Sequence, residues 1–100
     1  MNDFKELNIR EGIVKGLAQD NINIPTKIQQ LAIPPIMEGK DLIGEAVTGS
    51  GKTLAYLLPS FEKIDIESKD LHTLVLAPTH ELVLQIEHVI QTLATNAQYP

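Results

Sequence analysis

The sequence contains no cysteine and no tryptophan. Without cysteine there is no disulfide framework, no thiolate metal site and no cysteine nucleophile, and the composition suits a reducing compartment, the cytoplasm by default. Basic side chains are scarce: 8 Lys and Arg stand against 13 Asp and Glu, a formal charge of −5. Such a chain lacks the broad positive field that gathers nucleic-acid phosphates, so any nucleic-acid contact must be local. From Leu71 to Pro100 there is no Lys or Arg at all. Long apolar runs are missing too. The stretches 54–58 and 73–77 fall far short of a bilayer span, and the amino terminus mixes both charge signs without the apolar region of a signal peptide. No repeat, low-complexity tract or Gly/Ser linker interrupts the chain. At 100 residues it has room for one small core and at most one domain.

What is present is a run of short periodic segments separated by proline and glycine. Ile9, Ile13, Val14, Leu17 and Ala18 share one helical face and predict a helix over 9–19 with Asn8 as its cap. After a loop over 20–25, Thr26 caps a second helix carrying Ile28, Leu31 and Ala32 on its buried side. Pro34 and Pro35 restart that helix and Gly39 ends it. Residues 41–46 read as a short strand, 52–64 as a helix, and 72–78 as a strand buried on both faces. A last helix over 79–95 uses Leu82, Ile86, Val89, Ile90 and Leu93. Strand, loop, helix, strand and helix spell a βαβ unit, hence a parallel sheet and an α/β fold.

The chemistry concentrates in the turn from the first strand into its helix: Ala46, Val47, Thr48, Gly49, Ser50, Gly51, Lys52, Thr53 and Leu54. Backbone N–H groups delivered into a helix amino terminus make an anion cradle, because unpaired amides and the helix dipole both favour phosphate oxygens. Gly49 and Gly51 let the backbone curl without a side chain in the way. Lys52 supplies a point positive charge for the β- and γ-phosphates, and the Thr53 hydroxyl is the expected protein ligand of a phosphate-bridging Mg²⁺. By average composition such a Gly-x-Gly-Lys-Ser/Thr run arises by chance in roughly a few of every thousand chains of this length. Ala46 departs from the general phosphate-loop pattern, which has glycine there. Since alanine avoids glycine-only dihedrals, position 46 is expected to have ordinary strand-like torsions.

In this form the turn resembles motif I of the DEAD-box ATP-dependent RNA helicases. Residues 24–29 (IPTKIQ) look like that family's Q motif, with Phe4 at the family's distance before it, and 77–82 (APTHEL) look like motif Ia. The resemblance implies a partial RecA-like domain, a parallel sheet with flanking helices. Residues 1–33 would be a helical Q-motif segment and 34–100 an incomplete amino-terminal ATP-binding domain. It implies ATP and Mg²⁺ as cofactors, Gln29 reading the adenine edge, Thr26 tying its helix to the phosphate turn, and Phe4 offering surface near the base. An amide that both donates and accepts suits adenine N7 and N6. As plain structural residues, Gln29 is a solvated helix residue, Thr26 a cap and Phe4 a core anchor. Through Pro78, Thr79, His80 and Glu81 the resemblance implies a grip on the RNA backbone.

The chain departs from the family at Asn21 and Ile22, where Gly and an aromatic are usual, at Ile24, and at His80, where arginine is usual. Histidine carries less charge than arginine at neutral pH, so RNA affinity of this chain alone is expected to be weak. As plain residues, His80 and Glu81 belong to the first turn of a helix. Hydrolysis needs a second carboxylate for Mg²⁺, a group orienting water and usually an arginine. No family motif II follows Asp70, so the chain reads as an amino-terminal helicase portion, inactive alone, which binds nucleotide better than it turns it over. A non-catalytic nucleotide-binding module is the alternative. A small-molecule phosphate-loop kinase leaves Ala46, Pro25, Thr26 and Gln29 unexplained. Two strands leave open sheet edges, through which self-association is an expected hazard; no membrane contact is expected.

Overall fold

In the computed structural model of the chain, the described residues are 3–47, 49–63 and 73–96. The chain enters through a short 3₁₀ turn, Phe4–Leu7, opened by Asp3, whose Oδ1 accepts from Glu6 N at 3.0 Å. Asn8 closes that turn in the left-handed region at φ 65°. Asparagine tolerates this conformation because its short polar side chain bonds locally. Asn8 therefore ends an element instead of starting one, and α1 (Glu11–Gln19) begins two residues later than its periodicity predicts. Its cap position is Arg10, without a side-chain cap bond. Ile9 is buried just outside the helix, while Ala18 at its far end is exposed.

Helix α2 (Lys27–Met37) carries Pro34 and Pro35 in its interior instead of restarting at them. Both rings remove a backbone donor. The helix nevertheless continues, because Ala32 and Ile33 are buried and the carbonyls of both prolines still accept, from Glu38 N and Lys40 N, each at 3.1 Å. Gly39 follows in the left-handed region at φ 86° and terminates the helix as expected. Leu31, assigned by periodicity to the buried side, is 62 % exposed. The inward face is set by Gln29, Ala32 and Ile33.

Helix α3 (Lys52–Glu62) packs along α2, and α4 (His80–Asn96) packs against α1. One core joins them: Phe4 and Ile13 from the entry segment and α1, Ile33 from α2, Leu58 and Phe61 from α3, and Leu93 from α4. Each fully buried side chain of this size contributes roughly 1.5–3 kcal/mol of transfer free energy. Polar ties cross the same seams. Glu62 Oε1 accepts from Arg10 N at 2.9 Å, its carbonyl accepts from Arg10 Nη2 at 3.2 Å, and Lys63 Nζ donates to Ile36 O at 2.8 Å. Asn96 Nδ2 donates to Gly16 O at 3.3 Å and to Asp20 Oδ2 at 3.1 Å.

The expected parallel sheet is absent: among the described residues there is no strand. Residues 41–47 and 73–77 run without ladder partners, and His72 and Ile64, which bounded expected elements, lie outside the described residues. Residues 73–77, expected to be buried on both faces, are not. Ile43, Val47, Leu74 and Leu76 point out at 92, 79, 72 and 85 % exposure, while Ala46, Val75 and Ala77 are half-buried. Residues 73–77 are covered on one face only, and 41–45 are exposed throughout. A strand exists by pairing, and consecutive parallel strands need not be neighbours, so a period of two without a partner gives an extended segment and no ladder. Among the described residues no helix is long and apolar enough to cross a membrane.

Candidate phosphate-binding site

The turn 46–53 leads into α3 through two glycines in the left-handed region, Gly49 at φ 85° and Gly51 at φ 89°. Ala46 is not among the positive-φ residues, so alanine is accommodated there without strain. Ser50 N donates to Val47 O at 3.2 Å and Ala55 N to Gly51 O at 3.2 Å, which closes the turn and starts the helix. Gly51 is the cap of α3 and offers no side-chain bond, so the first amides of this helix carry no protein cap. Thr48 lies outside the described residues.

Behind the turn stands the start of α2. Thr26 and Gln29 form a reciprocal capping box: Gln29 Oε1 accepts from Thr26 N at 2.9 Å, and Thr26 Oγ1 accepts from Gln29 N at 3.5 Å. Gln29 Nε2 then donates to Gly51 O at 3.1 Å. The glutamine is 2 % exposed, so it is not a solvated helix residue. A Cβ on Gly51 would sit 2.5 Å from Gln29 Nε2 and 3.0 Å from Thr26 Oγ1. Glycine at 51 is thus required twice, by its dihedral and by its neighbour. The resemblance ties Thr26 to the turn; in the structure the hydrogen bond to the turn comes from Gln29, which the resemblance assigns to the adenine edge.

Ser50 Oγ is buried with no hydrogen-bond partner among the described residues. A buried hydroxyl left this way costs about 1–3 kcal/mol. An anionic oxygen in the turn would satisfy it. Lys52 is exposed at the first position of α3 and Thr53 is half-buried beside it. The donor set therefore fits a phosphate group: amides at a helix start, a buried hydroxyl and a lysine. Among the described residues no cluster of His, Cys, Asp or Glu could hold a metal ion. A hard cation would thus depend on Thr53 and phosphate oxygens.

A cavity of about 520 Å³ opens from this turn. Gly49, Gly51, Thr53 and Leu54 form one wall, Leu17, Asp20 and Ile22 another, and His88, Val89, Thr92 and Leu93 of α4 the third. Its size and mainly apolar lining match small-molecule sites. Phe4 is not part of it: at 0 % exposure that ring is a core anchor packed with Leu7 and Ile13. Asn21, which stands where the resemblance puts glycine, has φ 61°, so the departure keeps the backbone conformation that glycine would supply. Asp20, His88 and Thr92 were not singled out from the sequence. The signal available was the spacing of His88 and Thr92, one helical turn apart on α4.

Pro78, Thr79, His80 and Glu81 are all exposed at the start of α4 and do not line the cavity. Thr79 Oγ1 accepts from Leu82 N at 3.1 Å and so caps that helix.

The sequence matches the profile of the DEAD/DEAH box helicases over residues 26–99. It is 41 % identical over 90 residues to the ATP-dependent RNA helicase eIF4A of Scheffersomyces stipitis, covering 90 % of this chain and 23 % of that protein. The chain thus spans about a quarter of the length of that relative. Among solved structures it resembles the RNA helicase Prp28 of Chaetomium thermophilum bound to ADP, with TM-score 0.85 and 37 % identity, covering 96 % of this chain and 24 % of that one. It also resembles S. cerevisiae Dbp5 bound to RNA and ADP BeF3, with TM-score 0.90 and 28 % identity over 96 % of this chain and 25 % of that one.

Proposed function

The chain belongs to the DEAD/DEAH box helicase family, and from that premise we propose that it is the ATP-binding portion of an ATP-dependent RNA helicase. In the intact protein ATP hydrolysis at this site is coupled to RNA unwinding or remodelling. The observation that carries the reading is the uncapped start of α3, with Gly49 and Gly51 at positive φ and Gly51 braced by Gln29. The amides of 49–53, the Ser50 hydroxyl and Lys52 would hold the phosphates, and Thr53 would hold a Mg²⁺, which would supply charge neutralisation there. Thr26 supports the turn from behind.

Gln29 retains one N–H and one lone pair beyond its present bonds. These suit an adenine edge, although a residue 2 % exposed meets a base only after local rearrangement. Pro78, Thr79, His80 and Glu81 present a capped, exposed helix start to RNA, weakly in this chain because no Lys or Arg lies beyond residue 70. Segments 41–47 and 73–77 become strands of a RecA-like parallel sheet when partner strands cover them. The separation of 1–33 from 34–100 is one of task, since α2 runs across it. For the chain by itself, the bare Ile43, Val47, Leu74 and Leu76 favour self-association. A cytoplasmic location rests on the cysteine-free composition.

Calorimetric titration with ADP and with GDP, each with Mg²⁺, tests the reading. Binding of ADP in preference to GDP, without ATP turnover by the 100 residues, is expected. A folded chain that binds neither nucleotide overturns it. Equal binding of both keeps the phosphate site and removes base reading by Gln29.

A further inference from the structure

The cavity beside the phosphate turn is lined in part by an exposed acidic residue, Asp20, that the phosphates themselves do not call for. Asp20 is the last-turn cap of α1, with its N–H donating to Leu17 O at 3.0 Å. An acidic side chain at a helix carboxyl terminus faces the negative end of the dipole, which is unfavourable by local rules. What offsets that local cost is a tertiary hydrogen bond. The side chain is also held in place. Its Oδ2 accepts from Asn96 Nδ2 at 3.1 Å, and the same Asn96 amide donates to Gly16 O, so α4 fixes the carboxylate against the end of α1. Asp20, Ile22, Thr53 and Gly51 line one continuous space of about 520 Å³.

A ligand filling that space must place its anionic end at the amides of the turn and something uncharged near Asp20, because a carboxylate repels phosphate. Hydroxyl groups meet that demand. An ionised carboxylate is acceptor-only and takes hydroxyl donors in pairs. An acidic residue is also how dinucleotide-binding folds hold a ribose. Resting on the nucleotide reading above, we propose that Asp20 is a ribose-recognising residue. Its carboxylate, oriented by Asn96, accepts from the 2′- and 3′-hydroxyls of a nucleotide whose phosphates occupy 49–53, and the apolar side chains of Ile22 and Leu54 flank the ribose.

The test compares ADP with 2′,3′-dideoxy-ADP, both with Mg²⁺, on the parent chain and on the Asp20→Ala and Asn96→Ala variants. Hydrogen bonds to a charged group are strong enough that the parent chain should prefer ADP by about tenfold or more. Asp20→Ala should bring the two affinities together by weakening ADP alone. Asn96→Ala removes the clip but keeps the carboxylate, and should retain part of the preference. A purely structural Asp20 would change both affinities equally and leave their ratio untouched. If the parent chain binds both ligands equally, or if Asp20→Ala keeps the preference, the assignment of Asp20 is overturned while the phosphate site stands. If the parent chain binds neither, the nucleotide reading itself falls, and this inference with it.

Discussion

Helices α2 and α3 are each 11 residues long and meet at their amino termini, yet the two starts are built in opposite ways. At α2 Thr26 Oγ1 accepts from the Gln29 amide, and Gln29 reaches back to complete the box. At α3 the cap is Gly51, which has no side chain to offer. Capping satisfies a helix and at the same time removes its donors from use by a ligand. The difference teaches a division of labour. The closed end supplies stability and, through Gln29 Nε2 on Gly51 O, the brace that holds the open end in shape. The start of α4, closed by Thr79, follows the first pattern.

The largest break in this pairing is Gly51→Ala. A methyl group there meets Gln29 Nε2 and forces an L-residue into φ 89°. The backbone term alone is about 1–2 kcal/mol, and with the contact the cost should reach about 3 kcal/mol. Urea denaturation should report it, together with loss of ADP binding. Lys52→Ala separates the two functions cleanly. A lost charge-assisted contact of about 1.5–3 kcal/mol lowers ADP affinity roughly 10- to 100-fold. The exposed lysine leaves the melting temperature unchanged; a collapse of the circular dichroism signal would show that it serves the fold.

Gln29→Ala should then show how far the closed end supports the open one. It strands Thr26 N and loosens Gly51 O, for about 2 kcal/mol of stability. ADP and GDP affinities should fall in parallel if bracing dominates, and unequally if base reading does. Thr26→Ala is the smallest change, about 1 kcal/mol for a lost cap. Thermal unfolding should detect it with little change in ligand affinity.

Much of the site was legible because its residues are constrained by local geometry. Gly49 and Gly51 need positive φ, Thr26 caps one helix and Lys52 opens another, whereas Gln29 came only from the family resemblance. Gly39 ended its helix for the same kind of local reason. The remainder depended on tertiary contacts that periodicity cannot count. Leu31 fits an apolar face as well as Ile33 does, but only Ile33 meets the core. Residues 72–78 read as a strand buried on both faces, but Leu74 and Leu76 are exposed and no ladder forms among the described residues, since pairing is a property of two segments. Phe4 showed why spacing alone cannot separate a core ring from a stacking ring. Asp20 escaped notice because the neighbours that give it meaning, Asn96 and Thr53, are distant in sequence.

Helix α3 is pinned to α2 at both ends, by Gln29 on Gly51 at the start and by Lys63 on the carbonyl of Ile36 at the finish. A helix fastened that way cannot peel from its neighbour one turn at a time. The two should therefore open as one cooperative unit, with their amide protons exchanging at a common rate. A ligand that grips only the first turn of α3 would then slow exchange along the whole of α2, including amides it never touches.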